Sequence, residues 1–70
     1  MDRKTISEKL IELRGAKTQD VAAHEIGIST SALSMYECGE RIPRDEIKIK
    51  IAKYYGVTVG EIFFEEECHI

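Results

Sequence analysis

An all-α fold of five short helices is what this 70-residue chain predicts, and three observations predict it. Apolar residues recur at the 3.6-residue period of a helix. Good helix caps (Thr18, Ser29, Thr58) stand just ahead of such runs, and glycines (Gly15, Gly27, Gly39, Gly56) stand just behind them. With 43% hydrophobic and 33% charged residues the composition is that of an ordinary globular protein, and a chain this short has room for one domain.

Each element follows from its own residues. Ile6, Leu10 and Leu13 fall at i, i+4 and i+7, so residues 6–14 form a first helix. Thr5 with Glu8 has the Thr-x-x-Glu form of a capping box, and Gly15 is the stop. Gly15, Ala16 and Lys17 make a tight connection to a short second helix, whose first donors Thr18 can cap and whose apolar side is Val21, Ala22 and Ile26. Gly27 turns the chain sharply, Ile28 is placed to be buried in the turn, and Ser29 caps a third helix running to about Cys38. In that helix Ala32, Leu33 and Tyr36 share one side, which leaves Thr30, Ser31, Ser34 and Met35 on the other. A loop from Gly39 to Pro43 follows, with Pro43 suited to the first turn of a fourth helix. Ile47, Ile49 and Ile51 alternate with lysines as a strand would. Ile47, Ile51, Tyr54 and Tyr55 also satisfy helical spacing, and Asp45 to Tyr55 holds no turn signal, so helix is preferred. After Gly56, Thr58 with Glu61 forms a second Thr-x-x-Glu start, for a last helix carrying Val59, Ile62 and Phe63.

The net charge of −3 is unevenly placed. Residues 1–60 hold 10 Lys and Arg against 9 Asp and Glu, a balance of +1, while Glu61, Glu65, Glu66 and Glu67 give the last ten residues −4. The acidity is mostly a tail, and bulk charge says little about any one face. No apolar run is long enough to span a membrane and the amino end lacks a signal-peptide core, so the expected address is cytoplasmic. Cys38 and Cys68 read as free thiols, and joining Cys68 and His69 to Cys38 or His24 would make an ill-spaced metal site, so no metal or other cofactor is expected. His24 beside Glu25 suggests acid–base chemistry, but no nucleophile or convergent pocket goes with them, and no enzyme or small-molecule substrate is inferred.

The second and third helices have a specific physical pattern. Two helices that cross steeply must approach closely, which suits a small Ala22, a turn at Gly27 and a filling of Ile28 and Leu33. The third helix is then projected outward. The stretch Thr18-Gln19-Asp20-Val21-Ala22-Ala23-His24-Glu25-Ile26-Gly27-Ile28-Ser29-Thr30-Ser31-Ala32-Leu33-Ser34-Met35-Tyr36-Glu37-Cys38-Gly39-Glu40-Arg41-Ile42-Pro43 resembles the helix-turn-helix of the phage Cro and cI repressors, the XRE family. The likeness continues through Ile51-Ala52-Lys53 and Tyr55-Gly56-Val57-Thr58 to Glu61-Ile62-Phe63, covering roughly residues 6 to 63.

The resemblance implies a lambda-repressor-like domain over residues 1–64, followed by an acidic tail at 65–70. It implies a sequence-specific DNA-binding regulator of transcription, a repressor, that sets its third helix in the major groove. On this likeness Thr30, Ser31 and Met35 occupy base-contacting positions, with Ser34 a further candidate, and Gln19 and Ser29 occupy phosphate-contacting ones. Arg41 and Arg44 lie where the family's loop meets the sugar-phosphate backbone, and Arg14 resembles an arginine that pairs with the glutamate here at Glu37 and can also approach DNA. None of the exposed third-helix residues is Gln, Asn or Arg, so specificity would rest on thymine-methyl contacts, water and DNA shape. Lys48, where many members have leucine, is expected to shift packing onto Ile47 and Ile49. Related repressors pair through the region of Ile62, Phe63 and Phe64, which implies a homodimer on a palindromic operator of double-stranded DNA. Two other readings stay open: an antitoxin-type regulator, and a protein-interaction module that keeps the fold with little DNA affinity.

Overall fold

The computed structural model describes residues 3–63. Five helices account for most of them: α1 (Arg3–Arg14), α2 (Gln19–Ile26), α3 (Thr30–Glu37), α4 (Asp45–Tyr55) and α5 (Val59–Phe63), with no strand among the described residues. The all-α expectation and the helical reading of residues 45–55 both hold.

The starts and stops are those the local chemistry favours. Thr18 accepts a hydrogen bond from the Val21 backbone N–H at 3.2 Å, and Ser29 accepts one from Ala32 at 3.0 Å. Thr58 and Glu61 form a reciprocal capping box, each side chain accepting from the other's backbone N–H at 3.1 Å. Gly27 has φ +97°, a left-handed conformation that lets its N–H and that of Ile28 both reach the Ala23 carbonyl, closing α2 within one residue.

Four details depart from expectation. Already at Arg3 the chain is helical, so Thr5 lies inside the first turn instead of capping it. Pro43 is buried one residue ahead of the Arg44 cap, outside α4, whose first turn is taken by Asp45 and Glu46, favourable charges at the positive end of the helix dipole. Val21 is exposed, because α2 turns Ala22, Ala23 and Ile26 inward and the close crossing with α3 leaves room for alanine. Ile49 is also exposed. Two residues from both Ile47 and Ile51, it points about 200° away from each, toward solvent. The packing expected of Ile49 is taken partly by Lys48, whose ammonium lies 5.5 Å from the centre of the Phe63 ring.

Two clusters hold the helices. The larger joins Ile6 and Leu10 of α1, Ile26 of α2, Tyr36 of α3, Ile51 and Ala52 of α4, and Ile62 and Phe63 of α5. A smaller one, of Ala22, Ala23 and Leu33, seals the α2–α3 crossing, with Ile28 and Tyr54 packed on it. Leu10, Leu33 and Ile51 have no measurable exposure, and burying side chains of this kind stabilises by about 1.5–3 kcal/mol each. With its inner side held by Leu33 and Tyr36 against both clusters, α3 presents its other side outward.

Candidate nucleic-acid interface

The outward side of α3 begins at the Ser29 cap. Thr30 and Ser31 are exposed, while Ser34 and Met35, one turn on, are half-buried. All four lie on the side of α3 turned away from Leu33 and Tyr36, with the accessible surface concentrated at its first turn. That end carries the positive pole of the helix dipole, which attracts phosphate.

Behind α3 lies a buried charge. Glu37, in the last turn, is 3% exposed. Its carboxylate accepts from Arg14 Nε at 2.8 and 3.1 Å and from Gln19 Nε2 at 2.9 Å, and its backbone carbonyl accepts from the Ser7 hydroxyl. The hydrogen bond to Glu37 raises the Arg14 pKa above its ordinary value, and the Arg14 guanidinium also donates to the Lys17 carbonyl. The network ties the end of α1 and the start of α2 to the end of α3, so it sets the tilt of the exposed face. The expected pairing of Arg14 with Glu37 is present. Gln19 is engaged by Glu37 rather than held free, although an amide nitrogen has a second hydrogen to give.

After α3 the chain folds back, with the Glu40 and Arg41 N–H groups both donating to the Met35 carbonyl, at 3.0 and 3.3 Å. Arg41 and Arg44 project from this loop, both exposed and neither in an ion pair among the described residues. They border a shallow cleft of about 510 Å³ that Tyr36, Ile42, Glu46 and Ile47 also line. Two exposed cations on the loop after α3, in a chain that also presents the helix's polar amino end, are elements a DNA backbone would require.

Several features were not read from the sequence. Asp20 accepts a hydrogen bond from the Thr30 hydroxyl at 2.9 Å, which brings a carboxylate to the exposed face. Lys17, Glu25 and Tyr54 form a surface cluster: the lysine donates to Glu25 at 3.1 Å and to the Tyr54 oxygen at 2.7 Å, and the Tyr54 hydroxyl donates to Glu25. Its hydrogen bonds with Tyr54 and then with Lys17 hold the Glu25 pKa below the usual carboxylate range. Glu25 is therefore bound chiefly into a structural contact with Tyr54 and Lys17, with a smaller electrostatic contribution from His24. No cluster of three metal-ligating side chains occurs among the described residues, and Cys38 is an exposed free thiol. Ile62 and Phe63, expected from the resemblance to meet a second copy, are 2% and 3% exposed, with their side chains packed in the core of their own chain. Phe64, Cys68, His69 and the acidic stretch from Glu65 lie outside the described residues.

Residues 9–62 match the helix-turn-helix family model, more than half of the chain, and the chain belongs to that family. Among curated proteins it is 33% identical over 66 residues to the cryptic phage CTXphi transcriptional repressor RstR of Vibrio cholerae, a match covering 91% of this chain and 60% of RstR. It is 36% identical over 63 residues to the transcriptional activator BcrR of Enterococcus faecalis, covering 87% of this chain and 31% of BcrR. To an uncharacterized helix-turn-helix-type transcriptional regulator of Methanocaldococcus jannaschii it is 34% identical over 50 residues, covering 71% of this chain and 76% of that protein. The chain thus spans about three fifths of RstR and under a third of BcrR. No solved structure matches it significantly. No described helix is long and apolar enough to cross a membrane.

Proposed function

We propose that this chain is a sequence-specific DNA-binding regulator of transcription, working in the cytoplasm, that inserts α3 into the major groove. The observation that carries the reading is the exposed polar first turn of α3, held by the Arg14–Glu37–Gln19 network, together with Arg41 and Arg44, exposed on the loop that leaves the far end of the same helix and in no ion pair among the described residues. Thr30, Ser31, Ser34 and Met35 face the bases; Gln19, Ser29, Arg41 and Arg44 face phosphates. Arg14 acts mainly from behind, by holding Glu37. The names of the relatives include repressors and an activator, and repression, by a bound protein that blocks polymerase, is the sign we favour. One domain of this size covers a short stretch of DNA, so we assign it a homodimer on a palindromic site with half-sites about 34 Å apart.

Selection of bound sequences from a random duplex pool near physiological salt tests this, with a Thr30→Ala, Ser31→Ala double variant beside the parent. The parent enriches a palindromic motif, and the variant relaxes it at particular positions. An absence of enrichment overturns the reading and favours a protein-interaction module.

A further inference from the structure

Thr30 and Asp20 meet at the rim of the proposed interface, ten residues apart across the turn between α2 and α3. An ionised carboxylate only accepts hydrogen bonds, so the 2.9 Å contact commits the Thr30 proton to Asp20. The rest of the hydroxyl then offers lone pairs alone. A free threonine can donate or accept, and for that reason discriminates poorly between base edges.

We infer that Asp20 is a specificity-determining positioning residue: by taking the Thr30 proton it turns Thr30 into a dedicated acceptor toward the major groove. The inference rests on the DNA-binding reading above and deepens it. The base that meets Thr30 must donate, which adenine does through N6 and cytosine through N4. Guanine presents N7 and O6, both acceptors, and is refused because acceptor would face acceptor. In the free protein the contact is exposed and competes with water, so it adds little to stability; once docking excludes water the unpaired acceptors become costly. Asp20 also brings negative charge toward the phosphates, weakening binding to every duplex while sharpening choice at one position.

The test uses four duplexes differing only at the base pair whose preference Thr30→Val alters, with binding measured for the parent, Asp20→Ala, Asp20→Asn, Thr30→Val and the Asp20→Ala, Thr30→Val double variant. The parent is expected to prefer adenine or cytosine over guanine on the contacted strand by about tenfold, the scale of one hydrogen bond exchanged for a clash of acceptors. Asp20→Ala brings guanine to within about twofold of the others while binding all four duplexes more tightly, since one desolvated bond and one like charge are gone. Asp20→Asn keeps the size of the side chain and can turn either end of its amide to the hydroxyl, so it also readmits guanine. In the Thr30→Val background Asp20→Ala changes preference no further, which marks action through Thr30. A residue that merely tied α2 to α3 would lower the unfolding midpoint and leave the base preference of Asp20→Ala and Asp20→Asn that of the parent, and that result overturns the inference. A parent that binds all four duplexes equally likewise overturns the inference, whereas a parent that binds none of them overturns the DNA-binding reading itself.

Discussion

Replacing Arg14 with methionine keeps the apolar stem and removes the guanidinium that holds Glu37. The Glu37 carboxylate, 3% exposed, then loses the contacts at 2.8 and 3.1 Å and keeps only the Gln19 amide at 2.9 Å. Stripping a fully buried ion pair of one partner costs about 3–5 kcal/mol. The Arg14 side chain is 19% exposed, so water can partly replace it, and the expected loss is about 2–3 kcal/mol. For a domain whose total stability is about 4–10 kcal/mol that is a large share. Urea unfolding followed by the helical circular dichroism signal measures it. The Arg14→Met, Glu37→Met double variant, with no stranded charge, recovers at least half of the loss. A cost for Arg14→Met under about 0.5 kcal/mol, or a double variant no better than the single one, would refute the role given to this network.

Other expectations follow from single contacts. Arg41→Ala lowers the slope of log affinity against log salt by about 1, as one phosphate contact is lost, and an unchanged slope contradicts the docking face. Gly27→Ala destabilises by about 1–2 kcal/mol through its left-handed backbone. Steric crowding contributes little there, since an added Cβ would meet nothing closer than the Lys50 ammonium at 4.0 Å; a neutral result in thermal unfolding would refute the strain. Burial pushes the Tyr55 phenol up to about 12, so the folded chain keeps a proton that the unfolded chain releases near pH 10. Stability therefore holds below about pH 10 and falls from there to about pH 12. Tyr55→Phe removes that part of the fall and leaves the share of Lys17, whose pKa is raised by its hydrogen bonds to Tyr54 and Glu25. Because the Tyr55 hydroxyl is buried without a hydrogen-bond partner among the described residues, the same variant is no less stable than the parent at pH 7. An alkaline slope equal to the parent's would refute this assignment.

The features legible in the sequence are local ones. Thr18, Ser29 and the Thr58–Glu61 box satisfy backbone donors within three residues, and Gly27 answers a conformation of its own backbone. Inward residues such as Leu10, Leu33 and Ile51 follow from helical period, which also separated Tyr36 from Thr30 and Ser31 on α3. Exposure of Val21 and Ile49 was not legible, because how much of a helix is covered depends on its neighbours and not on its own pattern. The pairing of Arg14 with Glu37 was reached through family resemblance, since residues 23 apart meet only when the helix crossing is known. The same holds for Asp20 with Thr30, and for Lys17 and Glu25 with Tyr54, which no spacing announces. Phe63 shows the limit from the other side: the helical pattern made it part of the apolar side of the last helix and the resemblance made it a pairing residue, and the structure places it in the core.

The most direct test of the central claim is a map of backbone amide shifts as the protein is titrated with a DNA duplex at low salt. The largest changes are expected at Gln19, at Ser29 through Met35, and at Arg41 and Arg44, with little change at the groove between α1 and α5 lined by Lys9, Glu12, Val57 and Glu61. Changes centred on that groove, or none at the amino end of α3, would contradict the claim that α3 reads DNA.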